Sequence, residues 1–394
     1  MNRRNAESRK SKRTRIKSLV FLPEELIVQI LSYLPVKSLM QLKCVSKAWN
    51  TFISDPKFIK IHLEQSKKNT QILCMSRGSY ILPFFSLNTL LSNPSVISST
   101  KNYFPSDPDY QYQFIGSCNG LFCFLLLHMT KFPRKFLFQL WNPATNTLSN
   151  KFVQQFHSRL FSTRFAQQSL PRIHGLSFGY DNSTDTYKIV LFESNKLEIF
   201  SLCSNVLKII KLPHMGPLQK WDYVPRCRFL SEAVYLNDTI NLLVRENAKK
   251  IVIISLNLNT DTYTKFLPPQ DFVEVIPNLP TIHVLEDSLY FSHHTQKTHF
   301  IIWKMKEFGI DKSWTQFLKI SYEDLDIHNK YGCSLAPLCL YENCSIALVQ
   351  GETDGRLQVI VYNWFENRIE KIRMVKRMNW MFNQNYVESL VPTS

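Results

Sequence analysis

The chain has 394 residues, 44% of them hydrophobic and 20% charged. That balance excludes a disordered polymer and leaves room for one large domain or two to three ordinary ones. Only 10 glycines occur, which argues against glycine-rich repeats and phosphate-cradling loops. The formal net charge is +16 but uneven: Arg3, Arg4, Arg9, Lys10, Lys12, Arg13, Arg15 and Lys17 face one acid, Glu7, so the first 17 residues supply +7 and the rest +9.

Residues 1–17 therefore read as a disordered basic tail, open to three uses: a nuclear localisation signal, a nucleic-acid arm, or a solubilising extension. The apolar run Leu19 to Leu22 is halted by Pro23 and is too short for the core of a secretion signal. The longest apolar run, Leu121 to Met129, has the length of a strand and not of a membrane span. Nine cysteines are scattered without a C-x-x-C pair, the pattern of buried free thiols in a reducing compartment. The N-x-S/T triplets at Asn182, Asn237 and Asn343 then read as chance.

From residue 22 onward the pattern is helical. Pro23 suits the first position of a helix, with Glu24 and Glu25 complementing its dipole. With 100° per residue and Leu26 at 0°, the apolar residues from Ile27 to Leu34 spread over an arc roughly 220° wide, about twice what one core requires. Pro35 ends this helix. Leu39, Met40, Leu42, Cys44 and Val45 encircle a second. Ser46 is placed to cap a third, bearing Trp49, Phe52 and Ile53, and Asp55-Pro56 to start a fourth, bearing Phe58, Ile59 and Leu63. Three or four short helices thus offer more apolar surface than they can hide among themselves. A partner protein or the remainder of this chain must cover the excess.

The segment from Leu22 to Leu63, with its opening Leu22-Pro23, its internal Leu34-Pro35-Val36 and its closing Val45-Ser46-Lys47-x-Trp49, resembles the F-box. The resemblance covers residues 18–63. It implies docking on the Skp-type adaptor of SCF ubiquitin ligases, and through it on cullin and RING subunits. The positions it marks as adaptor contacts are Leu22, Pro23, Leu26, Ile30, Leu31, Leu34, Pro35, Val36, Leu39, Cys44, Val45 and Trp49.

After a polar bridge, residues 70–391 turn to short β-branched and aromatic runs separated by turn residues. A strand ending in a polar turn recurs at Phe84, Gln139, Glu198, Ile253, Ile301 and Ile360, roughly 50 to 60 residues apart, the period of a four-stranded blade. Partner strands begin near Asn119, Tyr187, Ala233, His283 and Cys344, and Asn237-Asp238 and Asp354-Gly355 suit hairpin turns. Six copies predict a six-bladed β-propeller, closed by the segment near Trp380 against an early strand so that no pairing edge is left open; a β-sandwich is the alternative. The run around Ile115, Trp141 and Gly175 resembles the F-box-associated domain of plant F-box proteins, some of them described as kelch-like. Kelch's paired glycines are missing, so kelch stands as a fold analogy. The fold class is α+β multidomain: a small helical F-box followed by an all-β domain.

No catalytic, metal or cofactor set emerges. His293, His294 and His299 lack matching ligands and read as surface residues. Cys118, Cys123, Cys339 and Cys344 read as core thiols. Glu323, Asp324 and Asp326 read as a solvated acidic loop. The stretch from Met215 to Arg228 interleaves Trp221 and Tyr223 with Lys220, Arg226 and Arg228, residue types that dominate interface hot spots. Trp221, Tyr223, Arg226 and Arg228 are the candidate substrate contacts, with an inter-blade crossover as the alternative; the basic tip Lys131 to Phe136 shares that ambiguity. The expected function is a non-catalytic receptor that holds a protein target for ubiquitination, in the nucleus and/or the cytoplasm, without a membrane. A glycosidase-like propeller enzyme and a nucleic-acid-binding protein are the competing classes.

Overall fold

The structure, a computed structural model, describes residues 22–69, 71–77, 84–92, 107–128, 136–154, 175–192, 196–212, 216–217, 233–247, 250–273, 279–295, 298–327, 334–351, 357–375 and 379–393. Four helices come first: α1 (Glu24–Ser32), α2 (Val36–Lys43), α3 (Lys47–Ile53) and α4 (Pro56–Ser66). Pro23 and Pro35 are N-caps, one position earlier than a first helical residue, and neither has a side chain that caps. The Ser46 hydroxyl accepts from the amide of Trp49, and the Asp55 carboxylate accepts from the amide of Lys57. The helices pack around Leu31, Val36, Leu39, Ile53 and Phe58. Buried His62 adds a polar tie, its Nε2 lying 2.9 Å from the Leu34 carbonyl oxygen at the end of α1.

The β region opens with β1 (Gln71–Arg77), β2 (Phe84–Ser86) and a short α5 (Leu87–Ser92). Five antiparallel blades follow. The first holds β3 (Tyr110–Cys118), β4 (Leu121–His128), β5 (Phe136–Asn142) and β6 (Thr147–Leu148), with β7 (Phe152–Gln154) also on β5. The second holds β8 (Leu176–Asp181), β9 (Thr186–Phe192), β10 (Lys196–Ser201) and β11 (Val206–Lys211). The third holds β12 (Gly216–Pro217), β13 (Ala233–Leu236), β14 (Thr239–Asn247), β15 (Lys250–Asn257) and β16 (Thr262–Phe266). The fourth is β17 (Thr281–Leu285), β18 (Ser288–Thr295), β19 (His299–Met305) and β20 (Trp314–Ser321). The fifth is β21 (Ser334–Tyr341), β22 (Ser345–Gly351), β23 (Leu357–Asn363) and β24 (Arg368–Val375).

A last strand, β25 (Asn379–Tyr386), pairs antiparallel with β1 in a three-stranded sheet, order β2-β1-β25. Among the described residues, six expected blades thus resolve into five full blades and a three-stranded closing sheet built from both ends of the domain. Five of the six sequence repeats, from Gln139 onward, are third strands of blades. The first differs: Phe84 begins a strand of three residues that runs directly into α5.

Apolar clusters lie between neighbouring sheets and not inside any one of them. Leu121 and Phe138 of the first blade meet Phe178 and Ile189 of the second. Val190 and Ile199 meet Val252 and Ile254, Ile253 meets Phe291 and Trp303, and Ile302 meets Leu348 and Ile360. Ile72 packs with Val349 and Val359, and Phe122 meets Tyr386 edge-on at 5.4 Å. Each central strand is therefore covered on both faces, which is why β4 and β22 are buried almost end to end.

The turns explain the repeat. Asn142, Asn257 and Asn363 each end a third strand and accept two amides of the following turn through Oδ1. Four residues on, Asn146, Asp261 and Asn367 adopt left-handed φ of 56°, 52° and 53°, a conformation these short polar residues tolerate. The Asn237-Asp238 hairpin expected from sequence is present, with both residues at positive φ.

Candidate docking surfaces

The wide apolar arc of α1 divides into two faces. Leu26, Ile30 and Tyr33, separated by 4 and 3 residues, follow one helical stripe, with Leu22 just ahead of the helix; Leu22, Leu26, Ile30 and Tyr33 are 52%, 44%, 54% and 63% exposed. Ile27, Val28 and Leu31 turn the other way, into the helical core. Val45, just past the end of α2, is likewise open, at 69% exposure. A row of large apolar side chains this open to water is a candidate docking surface.

The twelve positions marked by the F-box resemblance therefore have different settings. Leu22, Pro23, Leu26, Ile30, Pro35, Cys44 and Val45 are exposed, and Leu34 and Trp49 are half-buried. Leu31, Val36 and Leu39 are buried inside the chain's own helical cluster, where they shape the surface from beneath. Trp49 stands edge-on to Phe52 at 6.2 Å. Tyr33, which the sequence places on the apolar arc beside Leu26 and Ile30, is not among the twelve marked positions, although it is the most exposed of the four.

Part of the surplus oil is covered from within the chain. Leu390 and Ala144 of the β region complete the cluster formed by Leu31, Val36, Leu39, Ile53 and Phe58. Lys60 on α4 stands 3.6 Å from Asp185 in the β8–β9 turn. The helices thus face the end of the propeller that carries the turns between first and second, and third and fourth, strands. On this side a cavity of about 1300 Å³ separates α4 from the ring centre, lined by Ile59, Leu63, Tyr180, Tyr187 and Tyr235 among others.

The substrate contacts proposed from sequence, Trp221, Tyr223, Arg226 and Arg228, lie outside the described residues, as do the basic tail, Asp354-Gly355 and Lys131 to Lys135 of the basic tip. The strand ends on either side of residues 218–232 are described: Gly216 pairs with Arg245, and Ala233 with Leu242. Gly216 lies toward the end of the blade away from the Asn237-Asp238 turn, and Ala233 about midway along β14.

Two readings need correction. His293 and His294 are buried, at 2% and 3% exposure, and not on the surface. The cause is the double cover of β18: one face meets Phe272 and Trp303, the other Phe300 and Tyr322. His293 Nε2 accepts from the Trp303 indole at 3.1 Å, His294 Nδ1 meets the Tyr322 hydroxyl, and His283 Nε2 lies 2.8 Å from Thr281 Oγ1. Burial pushes His283 and His294 down to about 3. Among the cysteines, Cys118 and Cys123 are buried, and burial raises the Cys118 thiol to about 12. Cys44, Cys203 and Cys344, however, are exposed. Cys344 sits at φ 58° in the β21–β22 turn, outside the core. Glu323 and Asp326 are exposed, as an acidic turn should be. No group of His, Cys, Asp and Glu among the described residues is arranged to hold a metal ion, and no described helix is long and apolar enough to cross a membrane.

The family profile described as F-box-like matches residues 19–63, and that of the F-box associated beta propeller domain matches residues 49–393. An F-box/kelch-repeat protein of Arabidopsis thaliana is 28% identical over 76% of this chain and 79% of its own length. An F-box protein of the same plant is 23% identical over 95% of this chain and 93% of its own. An F-box/LRR-repeat/kelch-repeat protein of that plant is 24% identical over 94% and 96%. Among solved structures, TolB from Acinetobacter baumannii overlaps 80% of this chain and 67% of its own, at 8% identity and a TM-score of 0.39.

Proposed function

Because the chain belongs to the F-box associated β-propeller family, we propose that it is the substrate receptor of an SCF-type cullin ubiquitin ligase. The observation that carries this reading is the open row Leu22, Leu26, Ile30 and Tyr33, together with exposed Val45, on helices whose other face is already covered by their own chain. The stripe receives a Skp-type adaptor, which joins the chain to cullin and RING subunits. The propeller holds a protein target at the end away from the helices, with Trp221, Tyr223, Arg226 and Arg228 among its contacts.

In this role the chain makes and breaks no bond. Its contribution is proximity: a target lysine held beside a charged conjugating enzyme reacts at a high effective concentration. Apolar docking on the adaptor supplies affinity through buried area, roughly 25 cal/mol for each Å² removed from water. The protein acts in the nucleus, the cytoplasm or both, with residues 1–17 as the nuclear address.

Co-purification with a Skp-type adaptor tests the reading. Wild-type chain should retain the adaptor, and Leu26→Lys or Ile30→Lys should lose it while the propeller stays folded. Proximity labelling with and without proteasome inhibition then identifies targets that accumulate when degradation is blocked.

A further inference from the structure

We infer that residues 387–393 form a positioning strap, in which Glu388 and Leu390, held by Asn142, fix the angle between the helical region and the propeller. Glu388 Oε2 accepts the amide of Val36 at 3.2 Å. That amide is one of the orphan donors at the start of α2, and its N-cap Pro35 has no side chain to serve it. Two residues on, Leu390 is 5% exposed and buried in the helical cluster with Leu31, Val36, Leu39, Ile53 and Phe58. The F-box core is therefore finished by a residue that follows Phe58 by more than 300 positions in the chain.

The propeller grips the same segment from below. Asn142 Nδ2 donates to the carbonyl oxygens of Ser389 and Val391, both at 2.9 Å. Its Oδ1 accepts from the amide of Ala144, whose side chain also packs on the helical cluster. Gly120, at φ +79°, lies so close beneath that a Cβ there would come within 2.3 Å of Ser389 Cβ and 2.7 Å of the Val387 carbonyl oxygen. The segment directly follows β25, which pairs with β1, and β1 follows α4 by a short 3-10 turn. Ring closure and helix placement are thus one structural event.

The competing contact is weak. Lys60 and Asp185 stand 3.6 Å apart with both side chains 67% exposed, an arrangement that contributes little. The cavity of about 1300 Å³ beside them means that α4 does not lie flat on the ring centre. Among the described residues, orientation then rests on the strap and on the short 3-10 link from α4 into β1. The consequence for ubiquitin transfer rests on the receptor reading above: a loosened strap would widen the search volume of a bound target without touching either binding step.

The test measures distance within the full chain alone. Labels placed at Gln41 and Glu366, both exposed, by a chemistry that spares the exposed cysteines report the spread of distances between helices and propeller. Wild type should give one narrow distribution. The pair Glu388→Ala and Leu390→Ala should make it at least about twofold wider, and Leu390→Met in place of Leu390→Ala should narrow it again. Adaptor co-purification should stay as in wild type, because the exposed stripe is untouched. Should the double variant not fold, Glu388→Ala alone, which removes only the cap on α2, is read the same way. Distributions as narrow as wild type overturn the inference, and so does equal broadening by Lys60→Ala. A wild-type chain that binds no adaptor would sink the receptor reading while the distance result still stands or falls by itself.

Discussion

Lys188 and Asp261, 73 residues apart, meet across the second and third blades: the ammonium lies 2.8 Å from Asp261 Oδ1. The same ammonium is 2.8 Å from Asp181 and donates to the Leu258 carbonyl oxygen at 2.6 Å. Lys208 adds a second cation, 2.9 Å from Asp261. Asp181, whose side chain is 1% exposed, also accepts from Ser183 and Thr184. This buried network ties neighbouring blades at the end that faces the helices.

Removing Lys188 leaves buried Asp181 without a cation, while Asp261 keeps Lys208. Lys188→Met should cost on the order of 3 kcal/mol, the usual penalty for stranding a buried charge. Urea unfolding of wild type and variant measures it. A loss below about 0.5 kcal/mol would mean that water or a backbone shift takes over the role of the lysine.

The pH dependence of the network has a definite sign. Burial raises the Asp181 carboxyl, but hydrogen bonds from Lys188, Ser183 and Thr184 outweigh it and hold the group below the ordinary carboxylate range. The stability this contributes is present above about pH 4, the unfolded value, and is lost as pH falls through the folded one. For Lys188, burial lowers the ammonium, but Asp181 and Asp261 more than restore it. Its contribution holds below about pH 10 and fades above. Unfolding free energies across the acid range should show that Lys188→Met flattens the slope below pH 4.

The fourth blade adds a different acid sensitivity. His283 and His294 are held at about 3 by burial, well under the unfolded value of about 6.5. Between those two values the unfolded chain binds the extra protons. Stability should therefore decline as pH falls from 6.5 toward 3, by about 1.4 kcal/mol per unit for each histidine. Denaturation midpoints at pH 7 and pH 5 test this, with His294→Gln expected to reduce the difference. Equal midpoints in wild type would contradict the neutral burial of these rings.

Gly120 offers a local test of the close approach under the C-terminal segment. Gly120→Ala would place a methyl group against Ser389 and the Val387 carbonyl at a left-handed φ. The melting temperature should fall by about 1 to 3 °C, the shift expected of about 1 to 2 kcal/mol in a chain of this size. An unchanged melting temperature would show that the segment yields without cost.

Much of this architecture was readable from local pattern. Ser46 and Asp55 announced their helices because a cap is decided within three residues. Five third strands were visible because the asparagine turns at Asn142, Asn257 and Asn363, and their counterparts in the other blades, end each one in polar residues. The region around Phe84 misled because a strand and a helix share one short apolar run. His293 and His294 misled because adjacent residues normally face opposite sides of a strand, and only neighbouring blades make both sides interior. The helical surplus was legible in amount but not in division: nothing near Leu31 or Val36 in the sequence points to Leu390, which hides part of it.

The central claim is that the stripe Leu22, Leu26, Ile30 and Tyr33, with Val45, is a docking face. The most direct measurement is calorimetric titration of the full chain with a Skp-type adaptor, for wild type, Ile30→Lys and Ile61→Lys. Ile61 is an equally open apolar residue, 46% exposed but on α4 and off the stripe. The account predicts binding for wild type and Ile61→Lys, and a loss of at least about a hundredfold for Ile30→Lys. Wild-type chain that binds no adaptor, or Ile30→Lys binding as tightly as wild type, would contradict it.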